Sequence, residues 1–231
     1  MFPEKHRIRY GYYTDELLKE EKFQNYQGDL EIVSDSVRGG TTFIHDIPER
    51  LVGAVAWPGK IDLTEYISGG KLLWRAPEGK DYKVYILSTK KSHLLHPDIG
   101  REYVNVYFDR FEKNMGDAAS GGMNYFFQDE LSYPIKIGSW SEDFKEEFEK
   151  RKGYDITLYL PALKESIGDI TPKIRLDYCD VLMDLAEERF FQPIYNWHAS
   201  RGLIYGSDNF GRGMEPLAYI DYFRANSWYT A

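Results

Sequence analysis

"ERLVGAVAWPG", Glu49 to Gly59, is the stretch on which a reading of the fold turns. Leu51 to Trp57 is an unbroken apolar run closed by Pro58 and Gly59. A strand apolar on both faces is expected where both faces are covered, as in a parallel sheet, whereas a half-exposed strand alternates. "YKVYILSTK" (Tyr82 to Lys90) has the same character. Between the two, "IDLTEYISGGKLLWRAPEGKDY" carries Gly-Gly and Pro-Glu-Gly turn signals, which predict a small hairpin or loop.

Downstream the pattern changes period. Pro97 opens a helical stretch in which Tyr103, Val104, Tyr107, Phe108 and Phe111 recur at steps of three and four, closed by Gly116. In "NYFFQDELSYPIKIGSW" (Asn124 to Trp140) the aromatic run Tyr125 to Phe127 reads as a third strand, ending at the acid pair Asp129 and Glu130. Ser141 starts a helix at "SEDF" with Phe144 and Phe148 on one side and Gly153 as its stop. A long helix is expected from Pro172 to Ser200, with Leu182, Leu185, Ala186 and Phe190 on one stripe. "LIYGSD" (Leu203 to Asp208) is then a fourth strand.

Apolar strands alternating with helices imply parallel pairing and an α/β fold. No G-x-G-x-x-G follows the first strand to build a nucleotide site. Acids cluster at strand C-terminal ends, where (β/α)8 enzymes place their chemistry, so the expected architecture is TIM-barrel-like. About four or five strands are found where eight are needed, which points to an incomplete barrel fragment. Residues 1–231 are expected to form a single partial barrel, with 1–50 as a lead-in segment and flanking parts of the parent chain missing.

Composition bounds the partners. A chain of 231 residues that is 42% hydrophobic can bury one sizeable core. A net charge of −8 and scattered Lys and Arg exclude nucleic acid, whose binding needs clustered cations. At 16% aromatic, with 19 Tyr and 5 Trp, the chain has rings both for a core and for ligands with apolar faces and hydroxyl edges, as sugars have. The single Cys179 rules out an intrachain disulfide and leaves the compartment open. "MFPEKHRIRY" has no apolar core of a signal peptide, and no run of about 18 apolar residues exists to cross a bilayer. A soluble chain with no membrane partner is expected.

The acids at the strand ends suggest a reaction. Glycoside hydrolysis needs one carboxyl that stays protonated to assist the leaving oxygen and a second, ionised one that activates water or attacks the sugar. Aromatic neighbours in "FFQDE" suit Glu130 to the acid role, and the polar surroundings of Asp208 in "GSDNFGRG" keep it ionised. The plainer alternative is that Asp129 caps a loop and Asp208 begins an Asx turn.

Four further residues have both a binding and a structural reading. Trp140 is a sugar-stacking platform or a hydrophobic staple before a helix. Arg212 in "FGRGMEP" holds a sugar hydroxyl or carboxylate, or is a solvated loop residue. Asp177, with Arg175 in "RLDY", contacts substrate or pairs within its helix start. Asp129 belongs to the same set through its place beside Glu130. His93 and His96 in "HLLHP" lack a third ligand for zinc, so no metal site is assigned. His198 is expected to serve a helix C-terminus as a cation.

"GKIDLTEYISGGKLLWRAPEGKDYKVYIL", "FFQDELS", "WSEDFKEEFEKRKGYDITLYLPAL", "RLDYCDVLMDLAEERFFQPIYNWHASRGLIYGSD" and "GRGMEPLAYIDYFRANSWYTA" together resemble successive segments of the alpha-L-rhamnosidases of glycoside hydrolase family 106, over roughly Leu51 to the C-terminus. Trp140 to Asp155 with Tyr159 to Leu163 is the most specific part. The resemblance implies a (β/α)8 catalytic barrel flanked by β-rich domains, a pair of acids, inversion at the anomeric carbon and an association with calcium, although the residues themselves require no cofactor. It implies Glu130 as general acid. The family pattern carries a Glu where this chain reads "IYGSD", so Asp208 is its shorter counterpart or a bystander with the base beyond Ala231. The expected activity is hydrolysis of a terminal alpha-L-rhamnoside or similar bond, and the alternative is a non-catalytic carbohydrate-binding relative of the barrel.

Overall fold

Leu51–Trp57 and Tyr82–Lys91 are adjacent strands, but they run antiparallel, with Ala54 opposite Ile86 and Val55 opposite Tyr85. The computed structural model describes residues 19–115, 125–131, 133, 135–209 and 222–230. The chain divides into two units, Gln27–Lys91 with Trp140–Val181, and Met1–Tyr26 with Ser92–Ser139 and Leu182–Ala231.

The first of these is built on two antiparallel sheets. Its strands are β1 (Gln27–Val37), β2 (Thr42–Asp46), β3 (Leu51–Trp57), β4 (Ile61–Asp62), β5 (Ile67–Ser68), β6 (Lys71–Arg75) and β7 (Tyr82–Lys91). One sheet has the order β1-β7-β3-β4 and the other β2-β6-β5. This corrects the parallel, barrel-like reading of β3 and β7, and no closed barrel forms among the described residues.

The physical reason is that continuous apolarity reports coverage of both faces and carries no information on direction. One face of the larger sheet contributes Ala54, Ala56, Val84 and Ile86 to a core shared with Leu63, Leu72, Trp74 and Tyr82. On the other side the 3-10 segment Thr157–Leu163 lies against it, where the Trp57 indole N–H donates to the Leu158 carbonyl at 3.1 Å. The stretch between β3 and β7 is long enough for a helical crossover, but it folds as β4 to β6. Within it β5 and β6 form the expected hairpin, with Ile67 opposite Leu72 and Gly69 and Gly70 both at positive φ, the conformation a two-residue turn demands. β1 and β2, from the stretch expected as a lead-in, supply an edge strand to each sheet.

The same unit holds α4 (Phe144–Lys152), which stops at Gly153 as its sequence indicates. Phe144 and Phe148 are fully buried on one stripe, and Phe144 packs on Tyr178 at 5.0 Å between ring centres.

The other unit contains α1 (Glu21–Gln24) and a helix made of α2 (Ile99–Tyr103), a π turn (Val104–Phe108) and α3 (Asp109–Met115). It also holds β8 (Tyr125–Leu131), β9 (Ile204–Asn209) and α7 (Tyr222–Asn226). The long helix read from Pro172 to Ser200 is present as α5 (Thr171–Ala186), which belongs to this unit from Leu182 onward, a second π turn (Glu187–Phe191) and α6 (Gln192–Ala199). Two helices cross closely at Gly100, where a Cβ would fall 2.4 Å from the Arg189 carbonyl oxygen. Arg224 ties α7 down by donating to Glu187 and to Asp184 at 2.7 Å. The core here is aromatic: Phe108 meets Trp197 at 5.1 Å and His198 at 4.5 Å, and Tyr103 meets Phe190 at 5.3 Å.

Candidate active site

β8 and β9 are the parallel pair that the sequence pattern predicts. Tyr125 lies opposite Ile204, Phe126 opposite Tyr205, Phe127 opposite Gly206 and Gln128 opposite Ser207. The register then shifts, and pairing resumes with Leu131 opposite Asn209. Two residues of β8, Asp129 and Glu130, therefore face one of β9, Asp208. This is a β-bulge, a device that bends a strand and recurs beside active sites. It also interrupts the two-residue alternation, so the pleat does not fix how the two acids differ in direction. All three acids share the C-terminal end of two strands whose backbones run about 5 Å apart.

Both strands are anchored close to these acids. Three residues before Asp208, Tyr205 is 2% exposed and its ring stacks on His198 at 4.3 Å and 17°. Its backbone N–H donates to the Thr230 hydroxyl at 2.8 Å, and its carbonyl accepts the Thr230 N–H at 2.8 Å. Three residues after Glu130, Tyr133 stacks on Phe190 at 4.2 Å and donates its hydroxyl to the Leu94 carbonyl.

His198 is a buried base, contrary to the expectation of a cation at a helix end. Burial lowers its pKa to about 4, and the Arg201 charge adds to the effect, outweighing the bond to Ile194. The neutral ring donates Nδ1–H to the Ile194 carbonyl at 2.8 Å. Burial and the charge of His96 likewise push His93 down. His93 and His96 both pack edge-on against Phe23, at 6.0 and 4.7 Å, as parts of a core.

Of the other sequence-derived candidates, Trp140 and Asp177 belong to the other unit. Trp140 lies in the unit with the antiparallel sheets, is 3% exposed and stacks on Phe144 at 4.6 Å. The ring is thus packed in the core beside the start of α4, which is the structural one of its two readings. Asp177 belongs to the same unit, accepts the Tyr154 hydroxyl at 2.8 Å and pairs with Lys173 one turn before it. Burial alone would raise the pKa of this carboxyl, but the bonds from Lys173 and Tyr154 and the nearby lysine charges hold it below the usual range. Arg212 lies outside the described residues. Among the described residues no cluster of three or more His, Cys, Asp or Glu offers a calcium cage. No described helix is long and apolar enough to cross a membrane.

The bulge and the two anchors have no signal in the sequence. "LSYP" and "SWYTA" showed aromatic residues after each segment, but neither a pairing register nor a contact partner is written in a single strand.

Comparison with known proteins adds the family. The model of glycoside hydrolase family 106, alpha-L-rhamnosidase, matches residues 93–218. A protein of Formosa agariphila named "Putative beta-glucuronidase" is 26% identical over 151 residues, covering 57% of this chain and 13% of that protein. The structure of a rhamnosidase from Novosphingobium sp. PP1Y superposes with a TM-score of 0.51 at 21% identity, covering 73% of this chain and 18% of that one. The chain thus spans less than a fifth of either relative. With over half of its residues matched by the family model, and β8 and β9 both inside the match, the chain belongs to glycoside hydrolase family 106, the alpha-L-rhamnosidases.

Proposed function

We propose that this chain is part of the catalytic region of a glycosidase that hydrolyses terminal alpha-L-rhamnosides or closely similar bonds. The observation that supports it most is the convergence of Glu130 and Asp208 on the same end of adjacent parallel strands, inside the segment matched by the family. In this reading Glu130 is the general acid and protonates the leaving oxygen. Asp208 is the base, taking a proton from the water that attacks the anomeric carbon from the opposite face. Asp129 and Arg212 are assigned to holding sugar hydroxyls, whereas the ion pair of Asp177 with Lys173 favours its structural reading.

A second substrate class has one observation in its favour. A relative is named as a beta-glucuronidase, so a uronic acid could replace rhamnose in the same site. Aryl alpha-L-rhamnoside and aryl beta-D-glucuronide, offered side by side to the full-length polypeptide, separate the two. Turnover of the rhamnoside is expected; turnover of the glucuronide alone would replace the first reading with the second, and turnover of neither would favour a carbohydrate-binding relative.

A further inference from the structure

The bulge leaves a mechanical problem. The ladder between β8 and β9 lets go after Gln128 and resumes only at Leu131, so strand pairing does not hold the two acids directly. A proton donor must be held in register with the leaving oxygen, and a displacement of 1 Å is expensive. Beyond the Leu131–Asn209 pair, the next contact described along the chain is that of Tyr133, 5% exposed.

Tyr133 is held in two directions. Its ring lies flat on Phe190, 4.2 Å away at 10°, and meets the edge of Phe191 at 5.8 Å and 75°. Its hydroxyl donates to the Leu94 carbonyl. Both phenylalanines belong to the π turn Glu187–Phe191, in which one extra residue widens the helix. The turn is itself pinned to the same short loop, because Arg189 donates to the Leu95 carbonyl at 2.7 Å. The stack and the directed hydrogen bond together fix the ring in place and in rotation.

We propose that Tyr133, seated on this π turn, is a positioning residue for Glu130, an inference that rests on reading Glu130 as the general acid. Neither Tyr133 nor Phe190 touches substrate. They fix the chain just beyond the bulge and so set the reach of the carboxyl toward the leaving oxygen.

The test uses Phe190→Leu, Tyr133→Leu and Tyr133→Phe in the full-length polypeptide, assayed on aryl rhamnosides of graded leaving-group acidity and on an unactivated rhamnoside. With Phe190→Leu and Tyr133→Leu, kcat on the unactivated substrate is expected to fall by about 10- to 100-fold. With the most activated aryl substrate it is expected to change by less than about twofold, since little protonation is needed there. Phe190→Tyr, which restores a ring to stack on, is expected to recover most of the loss. An equal loss on every substrate, tracking the folded fraction in a thermal melt, or no loss at all, would overturn the proposal. Should both leucine variants fail to fold, Tyr133→Phe decides, as it keeps the stack and removes only the bond to Leu94: a smaller loss graded by leaving group supports the inference, and a flat response sinks it. Glu130→Gln in the same series keeps the two readings apart. If it shows no leaving-group dependence the acid assignment falls, and if it does while Phe190→Leu does not, only the positioning role falls.

Discussion

Glu130 and Asp208 occupy the same end of two adjacent parallel strands, Glu130 inside a bulge and Asp208 directly across from it. Strand register brings the backbones of the two residues to one end of the pair, with ladder pairs before and after the bulge. If Asp208 is the base, Asp208→Asn should lower kcat by about 10² to 10⁴, with the same loss on activated and unactivated substrates. A loss confined to poor leaving groups would mean that the roles of the two acids are exchanged.

Thr230 closes the far edge of β9 by accepting the N–H of Tyr205 and donating its own N–H to the Tyr205 carbonyl. Thr230→Val leaves a buried amide without its acceptor, at a cost of about 1 to 3 kcal/mol. Hydrogen exchange should quicken at Tyr205 in that variant and remain near the parent rate in Thr230→Ser. Equal rates in Thr230→Val and the parent would show that the hydroxyl does not hold the strand.

His198 makes stability depend on pH. Its folded pKa of about 4 lies below the ordinary 6.5, so the unfolded chain binds more protons between those values. Stability is then full above about pH 6.5 and declines as the pH falls toward 4, by roughly 3 kcal/mol at most. Melting temperatures measured between pH 4.5 and 7.5 should therefore fall on the acid side, and His198→Phe should flatten that slope. An unchanged slope would place the dependence on other groups.

Gly100 reverses the usual rule for glycine in helices. In an open helix interior Gly→Ala stabilises by about 1 kcal/mol, but here the added methyl would meet the Arg189 carbonyl at 2.4 Å. Gly100→Ala should destabilise by about 1 to 3 kcal/mol, the range for overpacking. A rise in denaturation midpoint would show that the crossing can open without loss.

The two halves of the fold were unequally legible. The parallel pairing of β8 and β9 is legible because a long helix precedes β9 and each strand ends in acids, two signals that agree. β3 and β7 were read as parallel on apolarity alone, which the cover on both faces of an antiparallel sheet produces equally well. Trp140 had a helix start beside it and took the buried role which that neighbour offers. The π turn at Glu187–Phe191 left no trace in the sequence, because a single extra residue in a helical stripe falls within the tolerance of a 3.6-residue period.

The leaving-group dependence of Glu130→Gln tests the central claim most directly. The full-length variant should retain its fold and its affinity for rhamnose, lose about 10² to 10⁴ in kcat on an unactivated rhamnoside, and lose far less on an activated aryl rhamnoside. Hydrolysis of the unactivated substrate at the parent rate would contradict the account, and the acids of β8 would then mark no more than the end of a strand.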